Sequence, residues 1–129
     1  MIVLDTSMWV EMLLGSSIGG IAQGYFRDAP SIIVPTMVQY ELEKWTLREN
    51  RPDKAQELAA LSNRLNVAPL DTAIAMLAAH LSKDHGLHAT DAIIYATAQI
   101  HDAELVTCDG HFEGLPGVRY YPNNKGSNS

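Results

Sequence analysis

Asp5, Glu41, Asp91 and Asp109 are spread across the chain, yet each stands where an apolar run ends or an amphipathic run begins. In a parallel α/β sheet such places lie on one edge, so the four carboxylates converge. Like charges brought together repel unless something neutralises them. A divalent cation is the simplest neutraliser, and it implies metal-assisted chemistry on a phosphate-containing substrate. Taken singly, each acid has a blander reading. Asp91 suits a helix N-terminus, where the dipole stabilises an acid by ~0.3–1 kcal/mol. Asp5 can cap the helix that follows it, Glu41 has Glu43 as a near neighbour, and Asp109 precedes Gly110 as a turn residue would. The four in equivalent places have no such shared explanation.

The elements that must position them read as follows. IVLD (residues 2–5) is a short buried strand ending in an acid. Thr6 and Ser7 start a helix that closes at Gly15. Residues 16–20 read as a loop, and a second short helix follows before Ala29-Pro30. SIIVP (31–35) is the second strand, and Thr36 is the expected cap of a helix over 37–48. Pro52 suits the first turn of a helix over 53–65, and 66–69 is a minimal third strand. An alanine-rich helix spans 71–85, with Gly86 as its stop. Thr90 or His88 caps a helix over 91–102 that is apolar almost all round, hence deeply buried. ELVTCD (104–109) and GVRYYP (117–122) are the last two strands. Strands alternating with helices predict an α/β three-layer sandwich with a mainly parallel, about five-stranded central sheet. Ligands in such folds bind beyond the carboxyl ends of the strands. Residues 1–122 form one domain, and 123–129 are a polar tail expected to be disordered.

Composition narrows the class. The chain has 129 residues, 47% of them hydrophobic, enough for a core without disulfides. Its one cysteine, Cys108, cannot form an internal bridge and fits a reducing compartment. No apolar run approaches the ~20 residues of a membrane span. MIVLDTS lacks a basic region and a cleavage site, so no signal peptide is expected and a cytoplasmic location is. The net charge is −6, the opposite of a general nucleic-acid binder. Any nucleic acid must then be held by metal and by local basic residues.

IVLDTSMWV (2–10), PTMVQYELEKW (35–45), HATDAIIYATA (88–98) and LVTCDGHFEGLPGV (105–118) occur in an order and spacing that resemble the PIN-domain ribonucleases, specifically the VapC-type toxins of bacterial toxin–antitoxin pairs. The resemblance spans almost the whole chain. It implies a Mg2+-dependent (or Mn2+-dependent) endoribonuclease whose site acids map onto Asp5, Glu41, Asp91 and Asp109. It also implies a homodimer inhibited by a cognate antitoxin. Asp5, Asp91 and Asp109 are the expected ligands of one or two ions, and Glu41 the group that orients or deprotonates the attacking water. Thr6, Ser7 and Thr107 carry hydroxyls beside these acids and can orient them. Their plain alternatives are helix caps and a β-branched strand residue. Lys44, Trp45 and Arg48 share a helix face with Glu41 and can line an RNA groove. Their alternatives are core or interface packing for Trp45 and solvated charge for the cations.

The five histidines, His80, His85, His88, His101 and His111, share no metal-ligand spacing, and the alternative role open to one of them is general acid–base work. Cys108 is expected to be packed rather than reactive. Trp9, Met12 and Leu13 offer an apolar surface for a dimer. Other readings are a non-catalytic RNA- or protein-binding module, whose sign would be a lost acid, and a Mg2+-dependent phosphatase using Asp5. The latter usually has a second acid two residues on, where this chain has Ser7.

Overall fold

A computed structural model describes residues 1–123, so all but Asn123 of the polar tail lies outside the described residues. Five short strands form one sheet: β1 (Ile2–Leu4), β2 (Ile32–Pro35), β3 (Asn66–Ala68), β4 (Glu104–Thr107) and β5 (Val118–Tyr120). Every pairing is parallel, in the spatial order β3-β2-β1-β4-β5. Such strands are covered on both faces and consist of continuous apolar runs. Val3, Leu4, Ile32, Val34, Leu105 and Val106 are accordingly buried.

Six helices cover the sheet: α1 (Thr6–Leu14), α2 (Ser17–Tyr25), α3 (Thr36–Arg48), α4 (Pro52–Asn63), α5 (Thr72–His85) and α6 (Ala89–Ile100). The all-round apolar pattern of α6 has the expected result, with Ile94 to Ala98 buried without a break. Pro52 occupies the first turn of α4, where its missing N–H costs nothing. Asp71 caps α5 by accepting from the Ile74 amide at 2.9 Å.

Several expectations fail for local reasons. Residues 16–20 are not a loop. Ser16 accepts from the Gly19 amide at 3.0 Å and caps α2, which begins at Ser17. Gly19 is there for proximity: a Cβ on it would lie 2.2 Å from the Glu11 carbonyl oxygen of α1. Thr36 does not cap α3. Pro35 holds that position, and the Thr36 hydroxyl instead accepts from the Leu70 amide at 3.1 Å, tying α3 to the segment after β3. Neither His88 nor Thr90 caps α6 through its side chain; His88 is the N-cap by backbone alone. A 3-10 turn over Phe26–Ser31 stands where only a break was foreseen. Trp9 offers no dimer surface. It is 1% exposed and meets Phe26 edge-to-face at a centroid distance of 5.3 Å. Cys108 is packed, and burial raises its thiol pKa.

Strand order reverses between β1 and β4, since β2 and β3 extend the sheet one way from β1 and β5 the other. A crevice opens beyond the carboxyl ends of strands at such a point. Asp5 follows β1 directly, and Asp109 lies two residues past β4.

Candidate active site

Asp5 is the innermost acid. Its amide donates to the Val106 carbonyl at 2.9 Å, continuing the β1–β4 ladder by one bond. Its side chain does not cap α1, although it stands at the N-cap position. Instead Oδ2 accepts from Ser7 Oγ at 2.9 Å and from Thr107 Oγ1 at 2.8 Å. At 3% exposure the carboxyl group is out of water. Burial raises its pKa to about 6; the two hydroxyls pull it down, and the charges of Asp109 and Asp91 push it up.

The hydroxyls do more than hold Asp5. Thr107 Oγ1 accepts from the Asp109 amide at 2.9 Å and lies 3.3 Å from Ser7 Oγ. Ser7 Oγ also accepts from the Cys108 amide at 3.3 Å. The pair thus fixes Asp5 relative to the turn that carries Asp109. Thr6 serves a different acid: its Oγ1 donates to Glu41 Oε1 at 2.6 Å. Glu41 lies in the second turn of α3 and is half-buried.

Asp91 sits in the first turn of α6. Its pKa is raised, first by burial and then by Asp109, with His111 opposing and Glu41 adding a small further rise. Asp109 caps a 3-10 turn (Gly110–Phe112) by accepting from the His111 amide at 2.9 Å. Asp109 and Asp91 thus act electrostatically on Asp5, and Asp109 and Glu41 on Asp91.

His111 was not foreseen here. Its Nδ1 lies 3.3 Å from Asp91 Oδ2 and 3.3 Å from Asp109 Oδ1. Asp91, Asp109 and His111 each offer a ligand atom, all within 4.8 Å of one another. Asp5 and Glu41 stand outside this closest group. His111 escaped notice because its partners are a helix acid 20 residues away and the acid two residues before it. Neither spacing belongs to a regular metal-ligand motif. The one available signal was its place just after Asp109.

Lys44, Trp45 and Arg48 line one cleft of about 270 Å³ together with Thr6, Tyr40, Glu41 and Thr90. Trp45 is half-buried, and the Arg51 guanidinium lies 5.6 Å from its ring centroid. Lys44 Nζ lies 5.8 Å from the ring centroid of Tyr40, which is 55% exposed. Tyr40, Arg51 and Thr90 were not anticipated. Tyr40 adjoins Glu41 in sequence, which was the available clue.

A family model for the PIN domain matches residues 2–118, a span that includes all four acids. The chain belongs to the PIN domain family. No curated protein matches its sequence. Among solved structures, this PIN domain is similar to a chain of a toxin–antitoxin complex from Klebsiella pneumoniae. The two share 24% identity at a TM-score of 0.80, over 95% of this chain and 100% of that one. It is also similar to Mycobacterium tuberculosis VapC20, described as a sarcin-ricin loop cleaving toxin. There the identity is 22% and the TM-score 0.77, with the same coverage. VapBC2 from Rickettsia felis, bound to a promoter DNA fragment, aligns at 17% identity and a TM-score of 0.73, over 95% of this chain and 100% of that one. At these identities the likeness is one of fold, and it covers the neighbours' whole chains.

Within this PIN domain the donor set fits a divalent cation. Asp91 and Asp109 crowd together with an exposed imidazole beside them, and carboxylate oxygens are the ligands that hard cations prefer. No helix among the described residues is long and apolar enough to cross a membrane.

Proposed function

We propose that this PIN domain is a divalent-metal-dependent endoribonuclease and the toxin of a type II toxin–antitoxin pair. The observation that supports the reading is the gathering of Asp5, Glu41, Asp91 and Asp109 about the switch point of the sheet, where burial first, and neighbouring acids after it, raise the pKa values of Asp5 and Asp91. The likeness to VapC20, whose description names an RNA target, supports RNA as the substrate. Partners on this reading are RNA, an antitoxin protein and a second copy of the chain, in the cytoplasm.

Asp5, Asp91 and Asp109 would hold one or two ions of Mg2+ or Mn2+. When bound, the ion supplies Lewis acidity and positive charge against the phosphodiester oxygens. Asp5, held by Ser7 and Thr107, keeps its carboxylate aimed without rotamer freedom to lose. Glu41 orients the attacking water and takes its proton, its own carboxylate fixed by Thr6. Lys44 and Arg48 contact the backbone phosphates, and Trp45 and Tyr40 give the bases faces to stack on.

Purified protein is expected to cleave structured RNA with Mg2+ or Mn2+ and to stop in chelator. Full activity in chelator would overturn the metal reading. Lys44→Ala and Arg48→Ala are each expected to weaken RNA binding and to flatten the salt dependence by roughly one unit of log–log slope. Unchanged rates together with an unchanged slope would remove both from the RNA path.

A further inference from the structure

His111 lies against the two acids of the outer part of the site, and what fixes it there is the residue that follows. Phe112 is fully buried and meets Tyr95 of α6 at a centroid distance of 6.2 Å. The Tyr95 hydroxyl donates to the Pro116 carbonyl further along the same loop. The segment bearing His111 is therefore pinned to the helix that bears Asp91. Its side chain is nevertheless 62% exposed, and the ring is oriented by a hydrogen bond to Asp91, an ion-pair contact to Asp109 and the neighbouring His88 ring.

The contacts are those of a hydrogen bond and ion pairs, and they are short enough for one ion to take the place of the shared proton. Two neighbouring ligands of an octahedral ion at ~2.1 Å lie ~3.0 Å apart. His111 Nδ1 is 3.3 Å from an oxygen of each aspartate, and each of the three residues offers one ligand atom within 4.8 Å of the others'. An all-oxygen site suits magnesium, whereas imidazole nitrogen is a ligand that divalent transition metals accept more readily. A nitrogen here changes which ion the pocket selects.

We propose that His111 is a nitrogen ligand of the ion held by Asp91 and Asp109, and that it tilts the site toward Mn2+ and away from Mg2+. The proposal rests on the reading that the acids bind a divalent cation.

The test uses the full chain, Mn2+ alone as probe, and two readouts independent of RNA cleavage. Pulsed electron paramagnetic resonance of bound Mn2+ detects a directly coordinated nitrogen, and labelling histidine with 15N shows whether it is a histidine. Calorimetry compares Mn2+ and Mg2+ affinity. In the wild type a histidine nitrogen coupling is expected. It is lost in His111→Ala and in His111→Asn, and kept in His88→Ala, which removes the neighbouring ring 5.8 Å away. Mn2+ affinity falls about 10–100-fold in both His111 variants, while Mg2+ affinity changes by less than about threefold. Melting curves in chelator check that the variants fold. Mn2+ bound without histidine coupling, or coupling that survives in His111→Ala, overturns the ligand. Equal losses for both ions overturn the selectivity. Mn2+ that does not bind at all overturns the metal reading beneath the proposal, and calorimetry separates that result from the others.

Discussion

Asp91→Asn is expected to lower metal-dependent RNA cleavage by at least about 10²–10³-fold, the loss that follows removal of one group stabilising developing charge, without unfolding the protein. Asp91 stands in the first turn of α6, half-buried, with Asp109 and His111 as its polar neighbours. The amide keeps the shape and removes the charge. Losing the interaction with the helix dipole costs ~0.3–1 kcal/mol. Losing the repulsion from Asp109 offsets it, so the net change in stability is small. Single-turnover cleavage with saturating RNA isolates the catalytic loss, and thermal melts in chelator isolate stability. Cleavage within about threefold of wild type would remove Asp91 from the ligand set.

Asp5→Asn is expected to separate stability from activity more sharply. In the unfolded chain the Asp5 carboxyl ionises near 3.8, but in the folded one at about 6. The folded state therefore binds the proton more tightly than the unfolded state. The stability this carboxyl contributes is fully present below about pH 4, declines as the pH rises through 6, and is gone above. The difference between the two plateaus is on the order of 3 kcal/mol. Asparagine carries no such penalty. Its amide oxygen can occupy the place of Oδ2 and accept from both Ser7 and Thr107. In chelator at pH 7–8 the variant is expected to melt several degrees above wild type. That gap closes near pH 4. Saturating metal narrows it too, because a bound ion stabilises only the wild-type site. Cleavage falls as for Asp91→Asn. An asparagine variant less stable than wild type at every pH would show that the carboxylate, not the space it fills, holds this part of the fold together.

The fold was legible because its strands are apolar runs too short for helices, and two of them run into acids that the strand cannot bury for free. The placement of those acids after β1 and β4 sets Asp5 and Asp109 at one edge of the sheet. What escaped depended on contacts across space. The segment around Gly19 looked like a loop because Gly19 and Gly20 are poor helix formers, yet the approach of α1 to α2 requires the glycine. Trp9 on an amphipathic helix looked available to a partner, and only the position of Phe26 decides that it is not. Thr36 has the side chain of a cap and spends it on Leu70. His111 reaches Asp91 across a loop whose path is set by Phe112 and Tyr95, and no spacing within the chain encodes that.

The sheet also dictates when the site can exist. β1 is made first, but its partners come much later: Ile2 faces Ile32 on one side and Glu104 on the other. Parallel pairing at such separation waits for long loops to close. During synthesis, a nascent chain ending before Glu104 already contains Asp5, Glu41 and Asp91, yet it lacks the strand that brings them together and both ligand candidates beyond it. The candidate site cannot assemble until β4 and the turn after it have been added and the last crossover has closed. The order of translation itself delays the assembly of the site.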